Sequence, residues 1–295
     1  MSDTSRFQGI FTALITPFSN GKVDEAAFQS FVEWQIAEGI NGLVPVGTTG
    51  ESPTLSHDEH MRVVELCVEV ANGRVPVMAG SGSNSTDEAI LLTKHAQEAG
   101  ADAALVVAPY YNKPTAEGQY QHFKAVAESV DIPIFIYNIP GRSVVNITDE
   151  TLARLSDIPN IAGIKDATAD LTRPLTLRAL IGDKLKLLSG EDMTAVGFNA
   201  QGGVGCISVT SNVAPKRCAE VQAACLKGDY KTALALHEKL VPLHSALFCE
   251  SSPAPVKYAA SLLGKSTPDV RLPLVLATDG AQTKVRAAMQ KAGLL

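Results

Sequence analysis

Lys165 closes the short apolar run Ile-Ala-Gly-Ile-Lys, which Asp166 follows. A short apolar run between polar turns reads as a parallel strand covered on both faces. Burial there disfavours the ammonium form and lowers a lysine's pKa, and a neutral amine attacks a ketone to form an imine. Alternation along the strand puts Ile161, Gly163 and Lys165 on one face and Ala162 and Ile164 on the other, against a covering helix. Gly163 then leaves room beside the amine for something small. The alternative is a Lys165 just past the strand end, in solvent and paired with Asp166.

Three further stretches offer what an imine needs. Gly47-Thr48-Thr49-Gly50-Glu51 sets two hydroxyls in a tight turn whose backbone N–H groups can converge on a small carboxylate or phosphate. Pro109-Tyr110-Tyr111-Asn112 and Tyr137-Asn138-Ile139-Pro140-Gly141-Arg142 bring phenols and a guanidinium. Phe135 and Tyr137 share a face, so Tyr137 can point inward as Lys165 does; a phenol beside an amine and a threonine hydroxyl can pass protons during imine and carbon–carbon bond formation. Arg142 offers a bidentate fork for a carboxylate. Read singly, each tyrosine is also an ordinary core or interface aromatic, and Arg142 an ordinary exposed arginine. Gly190-Glu191-Asp192 places two carboxylates where barrels commonly hold a phosphate, which argues for a substrate without one.

Other motifs fail on inspection. Gly80-Ser81-Gly82 has Ser85 at the third position of the dinucleotide fingerprint, which argues against a nucleotide cofactor. His57 and His60 share a helical face without the HExxH spacing or a converging third ligand, so no metal site is expected. No Gly-x-Ser-x-Gly elbow occurs.

The elements that must position these residues form a regular series. Strand-like runs at 11–15, 43–46, 75–79, 103–108, 134–137, 161–165, 185–188 and 204–209 alternate with helix-period stretches such as 25–38, 56–71, 86–99, 116–129 and 149–155. Ser56 with Glu59, and Thr86 before Asp87 and Glu88, mark helix starts; Gly39, Gly73 and Gly100 follow helix ends. Eight such units predict a (β/α)8 barrel, with an open doubly wound sheet as the alternative. Helical periodicity at 216–226 completes the barrel, and 230–248, 256–263 and 283–291 form a helical extension covering the barrel or joining subunits. The expected division is a barrel over 1–228 and an extension over 229–295.

Composition narrows the partners. The chain has 295 residues, 45% hydrophobic and 19% charged, with net charge −6 and no basic cluster interleaved with aromatics, which argues against nucleic acid or an acidic membrane. The lead from 1 to 9 is polar, and no later run approaches the ~20 apolar residues of a membrane span. Five widely spaced cysteines read as reduced thiols of a cytosolic protein.

In Gly-Thr-Thr-Gly-Glu, Pro-Tyr-Tyr-Asn-Lys-Pro, Tyr-Asn-Ile-Pro-Gly-Arg and Gly-Ile-Lys-Asp-Ala-Thr, taken in this order, the chain resembles the dihydrodipicolinate synthase family of pyruvate-dependent class I aldolases, from about residue 9 to the C-terminus. The resemblance implies a cytosolic homotetrameric lyase that condenses pyruvate with aspartate-4-semialdehyde in lysine and diaminopimelate synthesis, without metal or organic cofactor. It implies a Schiff base at Lys165, Tyr137 as proton donor and acceptor, and Thr48 linking Tyr137 to Tyr111, whose family counterpart reaches in from a neighbouring subunit. Thr49 and the Thr48 backbone would hold the pyruvate carboxylate, with Ile207 and Gly190 in the substrate-binding set and Arg142 on the second substrate's carboxylate. Sialic-acid lyases and keto-deoxy sugar acid aldolases, the enzymatic alternative, generally lack such an arginine; a non-catalytic small-molecule sensor is the alternative of another class, and it would need no nucleophile. Ser52, His57, His60, Asn84, Glu88 and Tyr110 match an L-lysine effector site in feedback-inhibited members, with Pro53 a departure from the common alanine.

Overall fold

The computed structural model describes residues 4–295; residues 1–3, the start of the polar lead, lie outside the described residues. Eight parallel strands, β1 (Gly9–Ala13), β2 (Gly42–Val44), β3 (Met78–Gly80), β4 (Ala103–Val107), β5 (Ile134–Asn138), β6 (Ile161–Asp166), β7 (Lys186–Ser189) and β8 (Gly205–Ser208), pair in the order β2-β1-β8-β7-β6-β5-β4-β3. The Leu43–Val77 bridge, with Leu43 N donating to Pro76 O and Gly80 N to Pro45 O, closes the sheet between β2 and β3 into a barrel. Helices Glu25–Ala37, His57–Ala71, Thr86–Glu98, Ala116–Glu128, Asp149–Leu155, Arg173–Ile181, Ala195–Ala200 and Pro215–Leu226 follow the strands in turn.

Local signals account for most boundaries. Ser56 and Glu59 make both bonds of a capping box. The next helix is capped by Ser85, not Thr86: Ser85 has the extended backbone a cap requires and accepts from Glu88 N, while Thr86 is already helical. The single helical stretch expected at 230–248 is two helices, Tyr230–Glu238 and Val241–Ala246, because Pro242 has no N–H to continue the first. A two-stranded hairpin, Phe18–Ser19 with Lys22–Val23, also escaped the sequence reading although Asn20-Gly21, both at positive φ, is the turn such hairpins favour. Helices Ala254–Leu262 and Asp279–Lys291 complete the extension, whose Leu240, Leu243, Val256, Val285 and Met289 share one core with Ile10, Leu14, Val64 and Cys67 of the barrel. Burial of this kind stabilises by about 1.5–3 kcal/mol per large aliphatic side chain.

Inside the barrel lies a separate core that includes Phe7, Phe11, Val44, Met78, Leu105, Phe135, Tyr137, Leu188 and Ile207. β6 does not alternate strictly against it. The register passes from Ile134–Ile161 to Phe135–Gly163, so Ala162 is an extra residue. Ile161 and Ile164 both pack toward the helices and Ala162 against the inner core. The space at Gly163 is likewise not for a ligand: a Cβ there would lie 2.4 Å from Phe135 Cε1 and 2.6 Å from Lys186 O. The bulge and the missing side chain admit the Phe135 ring. Gly163→Ala is therefore expected to destabilise the fold by about 2 kcal/mol or more, read as a lower urea midpoint at unchanged slope; an unchanged midpoint would show that ring and backbone yield freely.

Candidate active site

β5 and β6 end in step. Tyr137 is the direct neighbour of Lys165, and Asn138 of Asp166. The last residue of each strand turns outward and is clamped. Asn138 Oδ1 accepts from Ile147 N (3.1 Å) and its Nδ2 donates to Asn146 (2.8 Å). Asp166 Oδ1 accepts from Thr168 N at 3.0 Å, and its Oδ2 forms a nearly buried ion pair with Arg173 Nε at 2.9 Å. With those residues held outside, Lys165 and Tyr137 point inward. Lys165 is 6% exposed, and its Nζ stands 4.0 Å from the centroid of the Tyr137 ring. Gly190 makes room for this lysine, since a Cβ there would come 3.0 Å from Lys165 Cε and 3.1 Å from Cγ. Ile207 on β8 is buried in the inner core.

The loop after β2 consists of two 3-10 turns, Thr48–Gly50 and Ser52–Thr54, joined at Glu51 with φ +59°. Its N–H groups converge less than the motif promised. Those of Gly50 and Ser52 donate to Gly47 O and that of Glu51 to Thr48 O. A ligand would meet those of Thr48 and Thr49. Thr16 Oγ1 donates to Gly50 O at 2.7 Å and fastens the turn to the chain after β1.

A cavity of about 420 Å³ opens among these loops, and Thr48, Tyr137 and Arg142 line it together with Ser52, His57, His60, Glu88 and Tyr110. Lys165 does not line it; its Nζ faces the Tyr137 ring, which does. Ile139, inside the Tyr-Asn-Ile-Pro-Gly-Arg motif but given no role there, and Ser143, next to Arg142 and outside every motif, also line it. Thr49 is buried within the loop and does not line the cavity. Tyr111 is not brought in: it is 87% exposed with φ +73°. Asn84 does not line the cavity; its carbonyl accepts from Asn112 Nδ2 at 2.8 Å. Glu88 pairs with His57 Nε2 at 2.8 Å and accepts from Ser83 Oγ, and these bonds hold its carboxyl below the usual range.

The two carboxylates after β7 are not equivalent. Asp192 is buried and accepts from Ser208 Oγ (2.5 Å), Val209 N (2.9 Å) and Thr210 N (3.1 Å), so it ties the β7 loop to the end of β8. Burial, then the Asp192 charge, push the Glu191 carboxyl up, with Lys165 opposing.

An amine and a phenol in register at the carboxyl ends of adjacent strands, with threonine hydroxyls and a guanidinium around the same mouth, are the equipment of a (β/α)8 barrel that works on a small carbonyl compound. The model of the dihydrodipicolinate synthetase family matches residues 6–292, and the chain belongs to that family. It is 62% identical over 295 residues to a 4-hydroxy-tetrahydrodipicolinate synthase of Bradyrhizobium diazoefficiens, covering 100% of both. Among solved structures, the chloride-inhibited dihydrodipicolinate synthase of Acinetobacter baumannii complexed with pyruvate is 47% identical, with TM-score 0.96 over 98% of this chain and 99% of that one. The enzyme of Cyanidioschyzon merolae with lysine bound is 36% identical, with TM-score 0.95 over 98% of this chain and 99% of that one.

Two histidines give the fold an acid limit. Burial pushes His60 and His122 from 6.5 down to about 4; at His60 the Gly80 backbone opposes this, and neither ring nitrogen has a hydrogen-bond partner among the described residues. The unfolded chain then binds protons near pH 6.5 that the folded chain refuses until about pH 4. Stability is therefore full above pH 6.5 and falls on acidification, by up to ~1.4 kcal/mol per pH unit for each histidine. Urea unfolding between pH 7.5 and 4.5 should show this slope, reduced by one histidine's share in His60→Leu. An unreduced slope would mean that His60 is protonated equally easily in both states.

Proposed function

We propose that this protein condenses pyruvate with L-aspartate-4-semialdehyde to 4-hydroxy-2,3,4,5-tetrahydrodipicolinate, in the synthesis of lysine and diaminopimelate. The observation that carries the reading is the inward pairing of Lys165 with Tyr137 at 4.0 Å, on a chain similar over its full length to synthases of that name. Lys165 Nζ attacks the pyruvate ketone, water leaves, and an imine forms. Loss of a methyl proton turns the imine into an enamine, whose carbon attacks the aldehyde; the semialdehyde's own amine then displaces Lys165 and closes the ring. The imine is the electron sink for these steps.

On this reading Tyr137 gives and takes the protons, with Thr48 linking it to Tyr111 of a neighbouring subunit. Thr49 and the Thr48 N–H hold the pyruvate carboxylate, Ile207 and Gly190 border the pyruvate, and Arg142 takes the carboxylate of the semialdehyde. The exposure of Tyr111 and its left-handed backbone favour a seat on another subunit, within a homotetramer built as a dimer of dimers. The barrel over 1–228 carries the chemistry and 229–295 braces it. The cytosol is the proposed compartment; among the described residues no helix is long and apolar enough to cross a membrane. The effector reading rests on Ser52, His57, His60, Glu88 and Tyr110 facing one cavity, beside Asn84, and on a relative with lysine bound.

Pyruvate-dependent turnover with aspartate-4-semialdehyde, N-acetylmannosamine and glyceraldehyde side by side tests the assignment. The semialdehyde alone should react, borohydride with pyruvate should inactivate the enzyme, and Lys165→Ala should lose both responses; preference for a sugar aldehyde would overturn the acceptor and the role given to Arg142. In the same assay, millimolar L-lysine should inhibit, and Glu88→Gln should require about tenfold more or beyond, as expected when a charge-assisted contact is lost. No inhibition of the wild type at millimolar lysine would remove the effector site.

A further inference from the structure

The Gly-Thr-Thr-Gly-Glu loop is anchored from the far end of the chain. Glu51 and Lys257, 206 positions apart, form an ion pair of 2.7 Å in which both side chains are 0% exposed. Lys257, on helix Ala254–Leu262, also donates to Thr16 O at 2.8 Å, and its Nζ stands 4.0 Å from the Phe18 ring centroid. The other oxygen of Glu51 accepts from Arg271 N at 2.9 Å. Arg271 in turn donates to Thr54 O at 2.8 Å and forks onto both oxygens of Glu59 at 2.6 Å.

Stability does not explain such a pair, because well-packed apolar side chains of similar volume serve a core as well or better. Its placement does. Glu51 is the left-handed joint between the two 3-10 turns, a conformation a glutamate keeps only when its surroundings impose it. The turn before it carries Thr48 and Thr49, and the turn after it begins at Ser52. Burial pulls the Lys257 pKa down while the Glu51 carboxylate opposes.

We propose that Glu51 and Lys257 are positioning residues: the helical extension, through this pair, sets the conformation of residues 47–55 and so holds Thr48 and Thr49 against the pyruvate carboxylate. The proposal rests on the pyruvate reading above. Lys257→Met alone would strand a buried carboxylate and endanger folding. Glu51→Gln with Lys257→Met removes both charges and keeps an acceptor for Arg271 N–H.

The purified double variant is assayed for pyruvate and semialdehyde kinetics, and the free enzyme for amide hydrogen exchange. The pyruvate KM should rise about tenfold or more, as for a lost outer support of a binding group, with the semialdehyde KM within about twofold. Exchange should quicken at 47–55 but not in the barrel strands. A wild-type pyruvate KM would overturn the proposal, and with quickened exchange it would leave the pair a structural anchor only. If the wild type itself gave no pyruvate-dependent turnover, the functional reading would fail, while unchanged exchange at 47–55 would separately refute the anchor.

Discussion

An amine on a strand buried on both faces must be given space without opening the barrel. The inner core is already filled by Phe7, Phe11, Phe135 and Leu188, so room for Lys165 comes from what is missing around it. Gly190, on the loop after β7, leaves the volume through which the lysine stem passes. Gly163 has a different duty, since the bulge at Ala162 and the bare backbone let the Phe135 ring close the barrel beneath the amine. The lysine is thus flanked by the Tyr137 ring and fixed in direction because Asp166, the next residue, is clamped outside by Arg173 and Thr168.

Much of this architecture is legible in the sequence for a physical reason. Strands covered on both faces must be apolar without interruption, so eight such runs stand out, and caps such as Ser56 with Glu59 mark helices that begin in solvent. Lys165, Tyr137, Thr48 and Arg142 could be read because each sits at a strand's carboxyl end, where the run breaks into polar residues. What could not be read lacks a local signature. One extra residue inside Ile-Ala-Gly-Ile changes which side chains face inward but not the apolar pattern. The helix Ala195–Ala200 is too short to show a period. Lys257 looks like a surface lysine on an amphipathic helix until Glu51, 206 residues earlier, is known to lie beneath it. Tyr111 has no partner in its own chain's cavity, so its destination is not written in one protomer.

The loop from Gly47 to Leu55 also gives the proposed chemistry and the proposed effector site a common wall. Thr48 lines the cavity from one 3-10 turn, and Ser52, Pro53 and Leu55 line it from the next turn and its end. Between them Glu51 points away from the cavity into the protein, so the two turns are levers on a common pivot. A ligand at Ser52, His57 and Glu88 and a ligand at Thr48 would bias the same short segment. Coupling between two sites requires a shared element whose conformation both ligands contact, and this loop meets that requirement without any long path through the barrel.

Electrostatics separates the lysine proposed to react from the other buried cations. Among the described residues three cations are buried: Lys165, Arg173 and Lys257. Arg173 has Asp166 and Asp149, and Lys257 has Glu51. Lys165 forms no ion pair among the described residues; it has the face of a phenol ring. Glu191 is near enough for the lysine's charge to oppose the upward push on its carboxyl, but the two do not pair. A carboxylate in contact would favour the ammonium and remove the lone pair that attacks a ketone. The fold pairs off two of its buried cations and leaves the third without a counter-ion among the described residues, which suits the nucleophilic role proposed for Lys165, while Lys257 serves as a strut.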